Sequence, residues 1–182
     1  MIVCFIGHRK IDNAEQLKMQ LTNIVSSLIL SGADTFIFGS KSDFNSLCWD
    51  VVTACKVQFP SIKRISYNAP HEMAFTSKEE REHYELILSQ LLKYEVHCAD
   101  YEQSVDCEKS YNANKNAYIM RNQEMIDCCD ICVFYYNEQY LPPRRKKSQK
   151  DIFDYQPKSG TAIAFAYAKR KKKQIINLYN KL

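Results

Sequence analysis

The sequence predicts an α/β protein: a single Rossmann-like domain with a mostly parallel sheet of about five strands, flanked by helices. Short, continuously apolar segments end at glycine or at polar residues, as expected for strands buried on both faces of a parallel sheet. Amphipathic helical repeats lie between them, which indicates βαβ units. The length of 182 residues corresponds to one domain. We therefore treat residues 1–182 as one folding unit.

The first two strand and helix pairs are the most regular part of the sequence. Residues 2–6 form the first predicted strand, which ends at Gly7, and residues 35–38 form the second, which ends at Gly39. Asp12 or Asn13 is expected to cap the first helix, and Gly32 lies just past its end. Pro60 should end the second helix before a third strand over 62–67. The apolar faces of the two helices are formed by Leu17, Leu21, Ile24, Val25 and Leu28, and by Phe44, Leu47, Val51 and Ala54.

The second half predicts two further helix and strand pairs, separated by irregular segments. Ser77 and Glu80 form a capping box that begins a helix, and residues 95–110 show no period and are predicted to be an irregular excursion. A helix over 111–127 and a very apolar strand over 131–136 follow. A long basic and polar loop spans 137–158, and the last helix begins at residues 159–161 before a strand over 174–179. Ala164 and Ala168 form the apolar stripe of that helix.

Composition and charge exclude several classes of protein. Apolar residues make up 46% and charged residues 25% of the chain, which excludes a disordered tail or a coiled coil. A formal net charge of +4 permits an anionic partner but is far from that of a dedicated nucleic-acid coat. We find no signal-peptide pattern and no apolar segment near the ~20 residues of a membrane span. We therefore expect a cytoplasmic protein that does not bind a membrane.

The eight cysteines are expected to be reduced thiols. Cys4, Cys55 and Cys132 fall inside apolar segments, where cysteine acts as a small hydrophobic residue. Cys128, Cys129 and Cys132 come closest to a metal-binding pattern, but they lack a second ligand pair at zinc-finger spacing. We therefore predict neither a metal nor a cofactor.

The candidate ligand site follows from where parallel α/β sheets bind ligands, beyond the carboxyl ends of their strands. Three groups of residues should converge there: 7–9, 39–42 and 158–161. Ser159, Gly160 and Thr161 open a helix, whose amide groups and dipole favour a phosphate, with Lys158 adding charge. The alternative is that Ser159 is merely an N-cap and Gly160 merely a turn.

The other two groups also have a functional and a structural interpretation. Gly39, Ser40 and Ser42 could contact a second phosphate or a ribose, or could simply form a strand-ending turn. Arg9 suits a bidentate phosphate contact, and His8 is as plausible in a structural role as in a functional one.

Two further basic features lie outside these groups. Arg121 lies on the helix before the penultimate strand, and periodicity alone favours a solvated side chain there. Arg144, Arg145, Lys146 and Lys147 form the strongest run of charge, which is either a solvated loop or a cationic flap over an anionic ligand or nucleic-acid strand.

Several motifs in order resemble the SLOG superfamily, most closely its YpsA-like members from Gram-positive bacteria and their phages. The motifs are Cys-Phe-Ile-Gly-His-Arg-Lys-Ile at 4–11, Phe-Gly-Ser-Lys-Ser-Asp-Phe at 38–44, Arg-Asn-Gln-Glu-Met-Ile at 121–126 with Asp130, and Asp-Tyr-Gln-Pro-Lys-Ser-Gly-Thr at 154–161. The resemblance covers nearly the whole chain. It implies a Rossmann-like fold that binds nucleotides or nucleotide-derived ligands. Arg121 matches the helix Arg of the related LOG enzymes, and Gly160 and Thr161 match the phosphate-binding part of their glycine-rich loop. The candidate ligand-binding residues are therefore Gly7, His8, Arg9, Gly39, Ser40, Ser42, Arg121, Asn122, Lys158, Ser159, Gly160 and Thr161.

The resemblance also implies what the chain lacks. The related LOG phosphoribohydrolases place a Glu three residues past the Thr of their glycine-rich loop, and nucleoside deoxyribosyltransferases place a nucleophilic Glu in a similar motif. Ala164 stands there in this chain. Cleavage of an N-glycosidic bond needs a carboxylate, and alanine cannot supply one. Glu124 and Asp43 are the candidate substitutes for that carboxylate, and Asn45 stands where YpsA-like members have an Asp.

Three hypotheses follow. The leading one is a sensor or sequestering protein that binds a phosphorylated nucleotide or an ADP-ribose-like ligand, with Tyr118 or Tyr136 available to stack on a base. The second is a nucleotide N-glycosidase that uses Glu124 or Asp43. The third is a DprA-like protein that binds single-stranded nucleic acid through residues 144–147. A homodimer is expected, as is common for small folds of this type.

Overall fold

The computed structural model describes residues 1–39, 42–68, 101–104, 113–142 and 158–179 and shows an α/β fold. Its sheet is entirely parallel and has six strands in these ranges. The strands are β1 (Ile2–Gly7), β2 (Thr35–Phe38), β3 (Lys63–Asn68), β4 (Tyr101–Ser104), β5 (Ile131–Tyr135) and β6 (Gln174–Asn177). The described helices are α1 (Ala14–Leu30), α2 (Asp43–Gln58), α3 (Ala113–Cys128) and α4 (Gly160–Arg170). The predicted fold class is confirmed.

The strand order β4-β3-β2-β1-β5-β6 places the first strand in the interior of the sheet. The chain moves outward from β1 to β4 on one side and then continues as β5 on the other side of β1. The direction of winding therefore reverses between β1 and β5. Helices α1 and α2 pack in one hydrophobic core, and α3 and α4 in a second core that contains the alternate residues of β1. A crevice at the carboxyl ends of β1 and β5 is thus where a ligand site is expected.

Local sequence explains most of these elements. The middle of β1 and all of β5 are buried, as their continuous apolar sequences predict. Gly32, with a φ of 98°, adopts the left-handed conformation just past α1 that glycine tolerates best. Asn13 is the residue before α1, with a left-handed φ of 50° and no capping bond from its side chain. Ala164 and Ala168 are buried on the predicted stripe of α4.

One segment differs from the prediction. Residues 95–110 were expected to be irregular, but they contain β4, which pairs in parallel with β3 from Ile65 to Asn68. An outer strand that pairs with only one described neighbour does not need a continuous apolar sequence, so periodicity does not detect it. The predicted helix beginning at Ser77 lies outside the described residues. Among the described helices, none is long and apolar enough to span a membrane.

Candidate functional site

The carboxyl end of β1 is tied to the start of the last helix. The Thr161 hydroxyl donates to the carbonyl oxygen of Gly7 at 3.0 Å, across 154 residues of sequence. Thr161 is buried, so this bond holds the first turn of α4 against the end of β1. The proton of the Thr161 hydroxyl is therefore already used within the protein and is not available to a phosphate. Its backbone amide is then the group that can face a ligand.

His8 lies beside Gly7 and is buried, with 7% of its surface exposed. Its amide donates to the carbonyl of Tyr135 at 3.1 Å, and its Nε2 accepts from the amide of Asn137 at 2.9 Å. Accepting at Nε2 assigns the neutral imidazole, with its proton on Nδ1. Burial lowers the pKa of His8 below its ordinary value, which also favours the neutral form. The ring packs against Tyr140, with centroids 4.5 Å apart.

The start of α4 is a partly open amide site. Ser159 is the N-cap, and its Oγ accepts from the amide of Ala162 at 3.0 Å, while its carbonyl accepts from the amide of Ile163 at 3.1 Å. The amides of Gly160 and Thr161 have no acceptor among the residues that the structure describes. The first turn of α4 carries no acidic residue, whereas α1 has Glu15 and α2 has Asp43 in theirs. No carboxylate of that turn therefore neutralises the positive end of the α4 dipole.

A second polar cluster lies at the end of β2, the neighbour of β1. The amide of Gly39 donates to Oδ1 of Asn45 at 3.3 Å, and the amide of Asn45 donates to Oγ of Ser42 at 3.2 Å. Ser42 is thereby the N-cap of α2. In the pairing register of β1 and β2, Cys4 is level with Ile37, so Gly39 is level with Ile6. The clusters at Gly7 and Gly39 are therefore about one strand spacing apart, ~5 Å.

Arg121 belongs to this second cluster, so the solvated side chain that periodicity predicts for it is wrong. Its side chain is only 2% exposed. The guanidinium donates to Oδ1 of Asn122 at 3.2 Å and lies 5.1 Å from the ring centroid of Tyr118. A methyl group added to Gly39 would lie 3.0 Å from its Nε. The structure thus brings Arg121, Asn122 and Gly39 together at the end of β2.

The three glycines at the site differ in how closely other atoms approach them. A side chain at Gly7 would collide with the ring of Phe44, and one at Gly39 would collide with Met125. Both are therefore needed for close packing inside the protein. No atom of the described residues, outside α4's own backbone, lies within 4 Å of the position where a Cβ of Gly160 would stand. Packing against the described residues therefore does not explain why glycine occurs there.

Other predicted residues lie around the site without joining these contacts. Arg9 and Lys158 are exposed at the ends of their segments. Asp43 is exposed and lies 3.9 Å from Nζ of Lys10, while its amide donates to the carbonyl of Arg9 at 2.9 Å. The carboxylate of Glu124 accepts from the Cys128 thiol at 3.8 Å, further along α3. Ser40 and the basic residues 144–147 lie outside the described residues.

Sequence reasoning missed two asparagines and one tyrosine that shape the crevice. Asn137 positions His8, and its Nδ2 donates to the hydroxyl of Tyr179 at 2.9 Å. Asn177 holds the end of β5 by accepting from the amide of Tyr136 at 3.0 Å and donating to its carbonyl at 2.9 Å. Tyr140, 44% exposed, covers the His8 ring. The sequence contains a signal for all three residues, which is their position at strand ends. Asn137 and Tyr140 closely follow the buried strand β5, and Asn177 is the last residue of β6.

Comparison of the chain with protein-family models finds no match, and comparison with curated proteins finds no related sequence. The fold and the geometry of this crevice therefore carry the functional argument.

Proposed function

We propose that this protein binds a phosphorylated nucleotide or an ADP-ribose-like ligand at the carboxyl edge of its sheet and acts as a sensor or sequestering protein. The observation that carries this proposal is the start of α4. There, the amides of Gly160 and Thr161 have no acceptor in the described chain, and a Cβ added at Gly160 would meet no atom of the described residues. A phosphate would satisfy both amides and the uncompensated end of the helix dipole.

The neighbouring clusters suit the rest of such a ligand. Arg121 and Asn122 lie at the end of β2, one strand away, where a guanidinium and an amide can bind a second phosphate or a ribose hydroxyl. Ser42, also at this end, is a further candidate contact. The half-exposed Tyr140, whose ring packs on that of the buried His8, offers aromatic surface for a base.

Binding without cleavage is favoured by the environment of residue 164. Ala164 is 2% exposed and packs in the core formed by α3 and α4 with β1 and β5. The resemblance to the SLOG superfamily would place the cleaving Glu of LOG enzymes at this position. Glu124 is a poor replacement because of its position: it lies nearer the carboxyl-terminal end of α3 than Arg121 does, where its carboxylate contacts the thiol of Cys128. We therefore propose that a nucleotide is held rather than hydrolysed.

Thermal unfolding with AMP, ADP-ribose and inorganic phosphate as probes tests this function. We expect at least one nucleotide probe to raise the Tm and phosphate alone to have a smaller effect. Arg121→Gln should reduce the nucleotide shift while the unliganded protein retains its circular dichroism spectrum. No shift with any of the probes would contradict the proposal. Free base released from AMP, and lost in Glu124→Gln or Asp43→Asn, would favour the N-glycosidase instead.

A further inference from the structure

We propose that Cys4, Cys129 and Cys132 form a binding site for a single thiophilic metal ion, at the opposite end of the sheet from the nucleotide crevice. The three thiol sulfurs all lie within 4.8 Å of one another. Sγ of Cys129 is 3.3 Å from that of Cys4 and 3.4 Å from that of Cys132. Among the described residues, this is the only group of three potential metal-binding side chains.

The spacing of the sulfurs is close to that of a metal thiolate site. Zn–S bonds of about 2.3 Å place tetrahedral thiolate sulfurs ~3.8 Å apart, and trigonal ones about 4.0 Å apart. The two short distances need to open by roughly half an ångström for an ion to enter between the sulfurs. Rotation of the side chains suffices for such a change, and the backbone need not move.

The backbone that carries the three thiols is rigid and already assembled. Cys4 and Cys132 lie directly opposite each other on the adjacent parallel strands β1 and β5. Cys129 lies in the short turn between α3 and β5, and its thiol also approaches the carbonyl of Ile126 at 3.4 Å. All three side chains are at most 1% exposed. The ion would therefore enter during folding or through local opening of this turn.

The charge near the thiols suits an ion bound by three thiolates. Each thiol releases its proton to solvent as its metal–sulfur bond forms, so three thiolates with a divalent ion carry one net negative charge. Lys173 lies beside this group, where its Nζ donates to the carbonyls of Asp127 at 3.1 Å and Cys129 at 2.6 Å. That ammonium can balance the residual charge. Three sulfur ligands select soft ions such as Zn(II) or Cu(I) over Mg²⁺ or Ca²⁺.

Two of the three remaining described cysteines provide the contrast. Cys48 is also fully buried, but it lies in the core on the other face of the sheet and belongs to no such group. Cys128 is exposed and directly precedes Cys129. If the three thiols were only small hydrophobic residues, the group would bind metal no better than these two cysteines.

The test is anaerobic metal loading of the reduced full chain with Zn(II), Cd(II) or Cu(I), followed by gel filtration and elemental analysis. We expect one equivalent per chain and, with Cd(II), thiolate-to-metal charge-transfer absorption. Cys129→Ala should lose both, whereas Cys48→Ala and Cys128→Ala should retain both. Which of the three ions is retained against a chelator identifies the preferred metal.

Alkylation mapping of the unmutated protein keeps the test valid if Cys129→Ala does not fold. After brief partial unfolding, bound Zn(II) should protect Cys4, Cys129 and Cys132 from iodoacetamide more than tenfold relative to the metal-free protein. Three results would each overturn the proposal. They are protection of Cys98 and Cys107 instead, retention of metal by folded Cys129→Ala, and failure of all three ions to bind. Nucleotide binding at the α4 amides should be unaffected in every case, because that site lies at the other end of the strands.

Discussion

A charge introduced at Gly160 is expected to stabilise the free protein and abolish ligand binding. In Gly160→Asp, the new Cβ meets no atom of the described residues within 4 Å, so the substitution introduces no clash with them. Replacing glycine by aspartate at the first helical position contributes at most a few tenths of a kcal/mol, roughly, through the lost backbone freedom of the unfolded chain. A carboxylate in the first turn contributes roughly 0.3–1 kcal/mol through the helix dipole. The free variant should therefore gain about 1 kcal/mol, or ~2–4 °C in Tm for a chain of this size.

The same carboxylate would oppose a bound phosphate. Two like charges ~4 Å apart repel by about 4 kcal/mol at the effective dielectric constant of a protein surface. A ligand at one hundred times its Kd stabilises the unmutated protein by about 2.7 kcal/mol. That corresponds to a rise in Tm of roughly 5–10 °C. The repulsion exceeds this gain, so Gly160→Asp should show no ligand-induced shift.

Differential scanning fluorimetry with AMP, ADP-ribose and inorganic phosphate measures both effects in one experiment. Gly160→Asn is the matched control, because it has the shape of Asp without its charge, and Gly160→Ala isolates the effect of the Cβ. We expect the ligand shift to decrease in the order Ala, Asn, Asp. A full shift in Gly160→Asp would refute the anion site, and a variant that unfolds below the Tm of the unmutated protein would refute the open geometry at Gly160.

Two further predictions concern the β1 end of the crevice. Burial lowers the pKa of His8, so the unfolded chain takes up a proton first as the pH falls through about 6.5. The stability contributed by neutral His8 is therefore full above that pH and lost below it. Between pH 7.5 and 5.5, urea unfolding should show a larger loss of unfolding free energy for the unmutated protein than for His8→Gln. Equal losses would contradict the assignment of a neutral, buried His8. Gly7→Ala should lower the free energy of unfolding by about 1–3 kcal/mol, because its methyl group collides with Phe44, whereas Gly160→Ala should cause no loss. A Gly7→Ala variant as stable as the unmutated protein would show that the Phe44 ring can yield.

The strands and the α4 stripe could be predicted because their signals are local. The buried sequence of β5 and the glycine after α1 each reflect one element and its own end. The position of Arg121 could not be predicted in the same way. On a helix rich in polar residues, an arginine is usually solvated, and its burial depends on Gly39, which reaches it only through the packing of α3 on the sheet. Only the motif resemblance singled out Arg121 as a candidate ligand contact, and that role stays a prediction.

The grouping of the three cysteines was also beyond local analysis. Sequence spacing suggested Cys128 as the partner of Cys129 and Cys132, but Cys128 is exposed at the end of α3. Cys4 takes its place because the register of β1 and β5 sets it opposite Cys132. Such a pairing joins positions 128 residues apart, and only the topology of the sheet specifies it.

The interior position of β1 has a consequence for how the protein is made. On the ribosome, residues 2–7 emerge before the other strands of the sheet, yet one edge of this strand stays unpaired until residues 131–135 have been synthesised. A bare apolar edge of this kind is prone to pair with other chains. Nascent chains arrested before residue 131 should therefore aggregate or engage chaperones, and those that extend past residue 177 should not.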